Sequence, residues 1–115
     1  ADRYDRLLAE LPVVRAPRHT KANSAWHLYV IQIDPQRTNK SRKDVFDAMR
    51  RAQILVNVHY IPVHLQPYYR RFGFAPGDYP AAEAYYDNAI TLPMYAAMSD
   101  EQQDRVIAAL TDALA

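Results

Sequence analysis

Apolar residues recur along this chain with two periods, 3.6 and 2, and the places where one gives way to the other outline its elements. Ala1 to Glu10 has helical spacing and should stop before Pro12, because proline disfavours helical geometry in the residue ahead of it. The chain starts without methionine and no capping residue precedes this segment, so it reads as a helix entered partway. Pro12 to Ser24 is basic and polar and reads as a surface connection, with a short extended piece at Val13 and Val14. Trp26 to Ile33 is rich in aromatic and β-branched residues at both parities, which predicts a central strand covered on both faces.

Asp34-Pro35 opens a polar loop to Ser41, whose hydroxyl can cap a helix with Asp44 in its first turn. Val45, Ala48, Met49 and Ala52 fall at i, i+3, i+4 and i+7, predicting an amphipathic helix over 42–52. Ile54, Val56 and Val58 then alternate with Leu55, Asn57 and His59, so a strand here would bury the first set and turn His59 to the other side. Two prolines, Pro62 and Pro67, with Gly73 and Pro76-Gly77-Asp78, mark an aromatic loop over 60–79. Pro80 suits the first turn of a helix on which Ala82, Tyr85, Tyr86 and Ala89 share a face, and Ala89 to Leu92 reads as a third strand stopped by Pro93. Ser99-Asp100-Glu101-Gln102 has the capping-box pattern, and Val106, Ile107, Leu110 and Leu114 line one side of a closing helix. The expected fold class is therefore α+β, a small mostly antiparallel sheet with helices packed on one face.

With 115 residues the chain fits a single domain, 1–115, and the absence of cysteine rules out a disulfide framework or a thiolate metal site. That composition fits a cytoplasmic protein. A net charge of +1 supplies no bulk field toward nucleic acid or an anionic membrane, and no apolar run approaches the roughly 18 residues of a spanning helix. Partners on this reading are recognised locally.

The densest chemistry lies in Val56-Asn57-Val58-His59-Tyr60-Ile61-Pro62-Val63-His64-Leu65-Gln66-Pro67-Tyr68-Tyr69, which sets two imidazoles and three phenols around a strand end stiffened by proline. Neutral imidazole donates or accepts a hydrogen bond, and a tyrosine ring offers a face to a sugar while its phenol stays wet. His59 and His64 can thus contact substrate, or serve as structural hydrogen bonders. A zinc site lacks its third ligand, since no carboxylate is close in sequence. His27, beside Trp26 on the central strand, should be at least partly buried, where structural use is the natural reading. His19 sits in the polar loop. Arg70 and Arg71 either clamp a diphosphate or form a solvated face. The chain has no Gly-x-Ser-x-Gly elbow, no glycine-rich phosphate loop, and only Lys21, Lys40 and Lys43, none placed like a buried Schiff-base lysine.

The His-Tyr-x-Pro-x-His segment, together with Ser24-Ala25-Trp26-His27-Leu28-Tyr29, Thr91-Leu92-Pro93-Met94-Tyr95 and the Ser99 to Val106 helix start, resembles the C-terminal small domain of the DegT/DnrJ/EryC1/StrS family of pyridoxal-phosphate-dependent sugar aminotransferases. The likeness covers most of the chain in order and spacing, and within the family it is greatest to members of the pseudaminic acid type. It implies the small domain of a fold-type I aminotransferase, with residues 1–11 as the end of an interdomain helix. The whole enzyme would transfer an amino group from glutamate to the C4 keto carbon of a UDP-linked N-acetylated 4-keto-6-deoxy sugar, normally as a homodimer. The cofactor lysine would belong to an upstream large domain, so this chain should neither hold pyridoxal phosphate covalently nor transaminate alone. His59, Tyr60 and His64, with His27 behind them, are the substrate-contacting candidates. Two departures stand out: Gln53 occupies a position where relatives commonly carry glycine, favouring left-handed geometry, and Ala96 replaces a usual proline. A freestanding sugar-nucleotide-binding or dimerisation module is the rival reading.

Overall fold

A computed structural model describes residues 1–115. In chain order the elements are α1 (Asp2–Leu7), β1 (Val13–Arg15), β2 (Tyr29–Ile33), α2 (Arg42–Arg51), a 3-10 turn (Val63–Leu65), α3 (Pro67–Arg70), α4 (Pro80–Asn88), β3 (Ala89–Leu92) and α5 (Asp100–Leu114). The three strands form one sheet in the order β1-β2-β3, antiparallel throughout.

Register explains which face is buried. Tyr29 pairs with Leu92 and Ile31 with Ile90, so these four side chains share one face with Ile33. Against that face pack Tyr4 within α1 and Leu8 just after it, Val45 and Met49 of α2, and Val106 and Leu110 of α5, all fully or nearly fully buried. The helices of the core thus lie on one side of an antiparallel sheet, as an α+β domain requires. Capping boxes start both long helices: Ser41 with Asp44 on α2, and Ser99 with Gln102 on α5. A further tie runs from Arg3 on α1 to Asp104 on α5 at 2.8 Å.

Four expectations are corrected. The central strand begins at Tyr29 rather than Trp26, because Trp26 has φ +46° and its amide is taken by the Ser24 hydroxyl at 3.1 Å. One face of β2 is buried and the other only half-buried, whereas β3 is the strand covered on both faces. No strand forms over 54–58: Ile54 and Val56 are buried, but the Val56 amide turns back to the Ile54 carbonyl at 3.0 Å, and beyond it Asn57 makes a single bridge to Thr91. Finally, Ala89 does not complete the α4 face but is buried as the first residue of β3, and α4 itself buries no residue: Ala82 and Tyr85 are exposed and Tyr86 is half-buried under the Arg42 guanidinium at 4.8 Å. The aromatic loop is also more ordered than its prolines and glycines suggest, since it contains the 3-10 turn and α3.

Candidate functional site

The segment after Val56 runs along the edge of β3 that β2 leaves open. Asn57 and Thr91 exchange two backbone hydrogen bonds, at 3.2 and 2.8 Å, which anchor the segment there. Thr91 pairs with Val30 in the sheet, so its side chain points to the face opposite the helical core. Its hydroxyl lies 2.9 Å from His59 Nδ1. That contact sets the ring and leaves Nε2 for a partner outside the chain. Tyr60 follows across a cis peptide bond and is 67% exposed.

Beyond Pro62 the chain turns through the 3-10 helix, and His64 faces inward at 7% exposure. Its Nε2 lies 2.8 Å from Glu83 Oε1 on α4. The same carboxylate accepts the Gly77 amide at 2.8 and 3.0 Å and the Tyr79 amide at 3.4 Å. The His64 bond first, then the Gly77 amide, hold the Glu83 carboxyl below its ordinary range. The Tyr79 ring closes over His64 with centroids 4.8 Å apart. Together with Pro62, Val63, Phe74 and Ala82 they line a mainly apolar cavity of about 350 Å³.

His59, Tyr60 and His64 therefore stand on one short segment but are held differently, the first by the sheet and the last by α4. His27 is placed apart from them, exposed in a bend ahead of β2, which corrects the expectation of a partly buried strand residue. Sequence reading missed both holders, Thr91 and Glu83. The available signal for Glu83 was an acid in the first turn of a helix opened by Pro80, shortly after a glycine that demands positive φ; Gly77 has φ +96°.

A second, larger cavity of about 740 Å³ lies between Asp2 and the Ala16–Trp26 connection and shares no lining residue with the first. Arg18 organises it, stacking 4.3 Å over Trp26 while pairing with Asp2 and Asp5. Asp5 also receives the Tyr29 hydroxyl. Burial pushes the Asp5 carboxyl up, but the bonds from Tyr29 and Arg18 outweigh it and hold it below its ordinary range. For Tyr29, burial and then the Asp5 bond both push its phenol up.

Arg71 stacks on Tyr68 at 3.9 Å and on Phe72 at 5.0 Å, so its planar face is already occupied. No three histidine, aspartate or glutamate side chains gather as a metal site. The lysines do not fit a Schiff-base site: Lys21 and Lys43 are exposed, Lys43 pairs with Asp47 one turn along α2, and Lys40 lies in the loop ahead of it. No helix is long and apolar enough to cross a membrane.

Known proteins share this fold. The family pattern of DegT/DnrJ/EryC1/StrS aminotransferases matches residues 1–111. The spore coat polysaccharide biosynthesis protein SpsC of Bacillus subtilis is 38% identical over 115 residues, covering 97% of this chain and 30% of its own. Among solved structures, Spr1654 from Streptococcus pneumoniae, assigned as a sugar aminotransferase and solved in its PMP-form, superposes with a TM-score of 0.85 at 31% identity, over 97% of this chain and 28% of its own. Helicobacter pylori PseC, an aminotransferase involved in the biosynthesis of pseudoaminic acid, superposes with a TM-score of 0.80 at 27% identity, over 96% of this chain and 30% of its own. The chain thus spans about 30% of the length of these relatives. On the match of nearly its whole length, this chain belongs to the DegT/DnrJ/EryC1/StrS aminotransferase family.

Proposed function

We propose that this chain works as the C-terminal small domain of a pyridoxal-phosphate-dependent nucleotide-sugar aminotransferase, a longer polypeptide whose large domain holds the cofactor and its lysine. The reaction is amino transfer from glutamate to the C4 keto carbon of a UDP-linked N-acetylated 4-keto-6-deoxy sugar. The Val-Asn-Val-His-Tyr-Ile-Pro-Val-His signature favours the UDP-4-amino-4,6-dideoxy-N-acetyl-β-L-altrosamine transaminase of pseudaminic acid biosynthesis, a cytoplasmic homodimer on this reading. His59 and Tyr60 contact the sugar nucleotide directly. His64 shapes the surface around them, and His27 joins only where another part of the assembly brings substrate to its exposed bend.

One observation carries the reading. His59 is fixed through Nδ1 by a buried threonine of the sheet, while Nε2 has no hydrogen-bond partner within the chain and the adjoining Tyr60 is exposed. A ring nitrogen left without a partner in the fold, on an imidazole whose other nitrogen is fixed, is available to a ligand. The exposed rings of Tyr60, Phe72, Phe74 and Tyr79 support a partner surface over the same region, as a large domain or second subunit would supply.

The test begins with the protein from its native source, whose intact mass should be roughly three times 13.2 kDa given the share of its relatives that the chain spans. That material should convert the 4-keto UDP-sugar with glutamate, and His59→Ala should raise KM for the sugar by about tenfold or more. A mass near 13.2 kDa with saturable UDP-sugar binding would favour the freestanding module instead.

A further inference from the structure

Residues 67–82 are all exposed, yet they hold a defined path through α3, two positive-φ glycines and the start of α4. Apolar packing holds this stretch only in part: Tyr68, Tyr69, Phe72, Phe74 and Tyr79 all stay exposed and pair with one another, and of these rings Tyr79 also covers His64. Its polar ties to the rest of the domain converge on a single carboxylate. Glu83 Oε1 accepts from His64 Nε2 and from the amides of Gly77 and Tyr79, and Oε2 accepts a second contact from Gly77.

The position of this carboxylate separates it from an ordinary helix cap. Tyr79 is the N-cap of α4 and Pro80 its first residue, so an acid serving the helix alone would bond the amides of the first turn or, as in a capping box, that of the N-cap itself. Glu83 reaches back past the cap to Gly77, which lies outside the helix, and across to His64 in a different element. Gly77 has open space around a Cβ but φ +96°, so its conformation suits glycine, and the carboxylate then holds that amide in place.

We propose that Glu83 is the positioning residue of the candidate site: it clamps the 66–79 loop onto the His59–His64 segment and so fixes the shape of the surface that meets the sugar nucleotide. The loop clamp stands on geometry alone, while the effect on substrate rests on the aminotransferase reading. Around the carboxylate stand His64 from the 3-10 turn and Tyr79 at the start of α4, with Asp78 nearby, itself occupied by the Ala75 amide. A carboxyl held low by its partners gives a clamp that is complete at neutral pH and released as pH falls through its titration.

Amide hydrogen exchange on the chain tests the clamp. In Glu83→Ala, exchange at Gly77 and Tyr79 should rise by about tenfold or more, the scale of losing charge-assisted hydrogen bonds, while Ile31 and Leu110 in the core exchange as before. Glu83→Gln keeps one acceptor oxygen and should give an intermediate rise, with the acid-dependent opening of the wild type abolished. Unchanged exchange at Gly77 and Tyr79, or an equal rise in the core, would overturn the clamp. For the substrate effect, Glu83→Ala in the native enzyme should raise KM for the 4-keto UDP-sugar by about tenfold with kcat changed far less. An opened loop with unaltered KM would overturn the positioning role while leaving the aminotransferase reading standing. Absence of turnover by the wild type would sink that reading and the substrate effect with it, whereas the exchange result would still decide the clamp.

Discussion

Replacing Gln53 with glycine should make this domain more stable, which is the reverse of what glycine does in most positions. Gln53 has φ +61° and follows the α2 C-cap, Ala52. Its amide bonds the Arg50 carbonyl at 3.1 Å and the Ile54 amide bonds the Met49 carbonyl at 2.9 Å, the two hydrogen bonds of a Schellman ending. Ile54 and Met49 are both buried, supplying the apolar contact that accompanies the motif. A left-handed residue with a Cβ costs roughly 1–2 kcal/mol. Glycine removes that cost but adds about 0.4–1 kcal/mol of unfolded-chain entropy. The net gain is about 0.5–1 kcal/mol, and little else is lost because the Gln53 side chain is exposed. In urea melts the midpoint should rise by a few tenths of molar at constant m, and Tm by about 2–5 °C. Gln53→Asn should fall between the two, and Gln53→Val should lose stability, since a β-branched side chain tolerates positive φ worst. If Gln53 had ordinary helical geometry, glycine would cost about 0.5–1 kcal/mol instead, so a fall in midpoint would refute the Schellman ending.

Ala96→Pro should add about 0.4–1 kcal/mol, because Ala96 is the second residue of the Tyr95–Met98 turn, closed at 3.1 Å, and proline suits that place; a loss in the same melts would show that its backbone differs. Thr91→Val keeps shape but removes the hydroxyl beside His59 Nδ1, so it should cost about 1 kcal/mol and change the His59 tautomer signal in nitrogen NMR, and an unaltered spectrum would refute the contact. Asp5 has a carboxyl depressed below its ordinary 3.8, so its stabilisation is present above that pH and is lost as pH falls through the folded value. Asp5→Asn should therefore lower Tm at pH 7 and flatten the acid limb of the Tm–pH curve. An acid limb equally steep in the variant would count against that assignment.

Local chemistry was legible wherever one stretch of sequence decides it. The caps at Ser41 and Ser99 and the stripes of α2 and α5 are set by residues within a few positions of one another, and they stand where the pattern places them, whereas α1 ends at Leu7, short of the Glu10 its spacing suggested. The left-handed turn at Gln53 was visible only through the family resemblance, because glutamine itself gives no such signal. The 54–58 strand failed for a reason the alternation cannot carry. Burial of Ile54 and Val56 needs only that they point inward, whereas a ladder needs an extended backbone, and the Val56 amide closes a tight turn on the Ile54 carbonyl at 3.0 Å.

The candidate site was half legible for a related reason. Histidine and tyrosine types marked the segment, but what each ring does depends on residues 32 positions away for His59 and 19 for His64. Those two partners give the neighbouring imidazoles opposite orientations. Thr91 is buried in a sheet strand and offers one hydroxyl, so it holds one nitrogen of His59 and leaves the other outward. Glu83 is charged, stands at the base of an otherwise exposed helix, and gathers several donors at once, so it draws His64 inward and takes the loop with it. A loop whose aromatic rings remain at the surface has little hydrophobic reason to stay in place, and polar links through a few atoms then decide its shape. Substitutions at Glu83 should consequently alter the site more than the domain, and substitutions at Thr91 should do both, because only Thr91 belongs to the sheet that the core is built on.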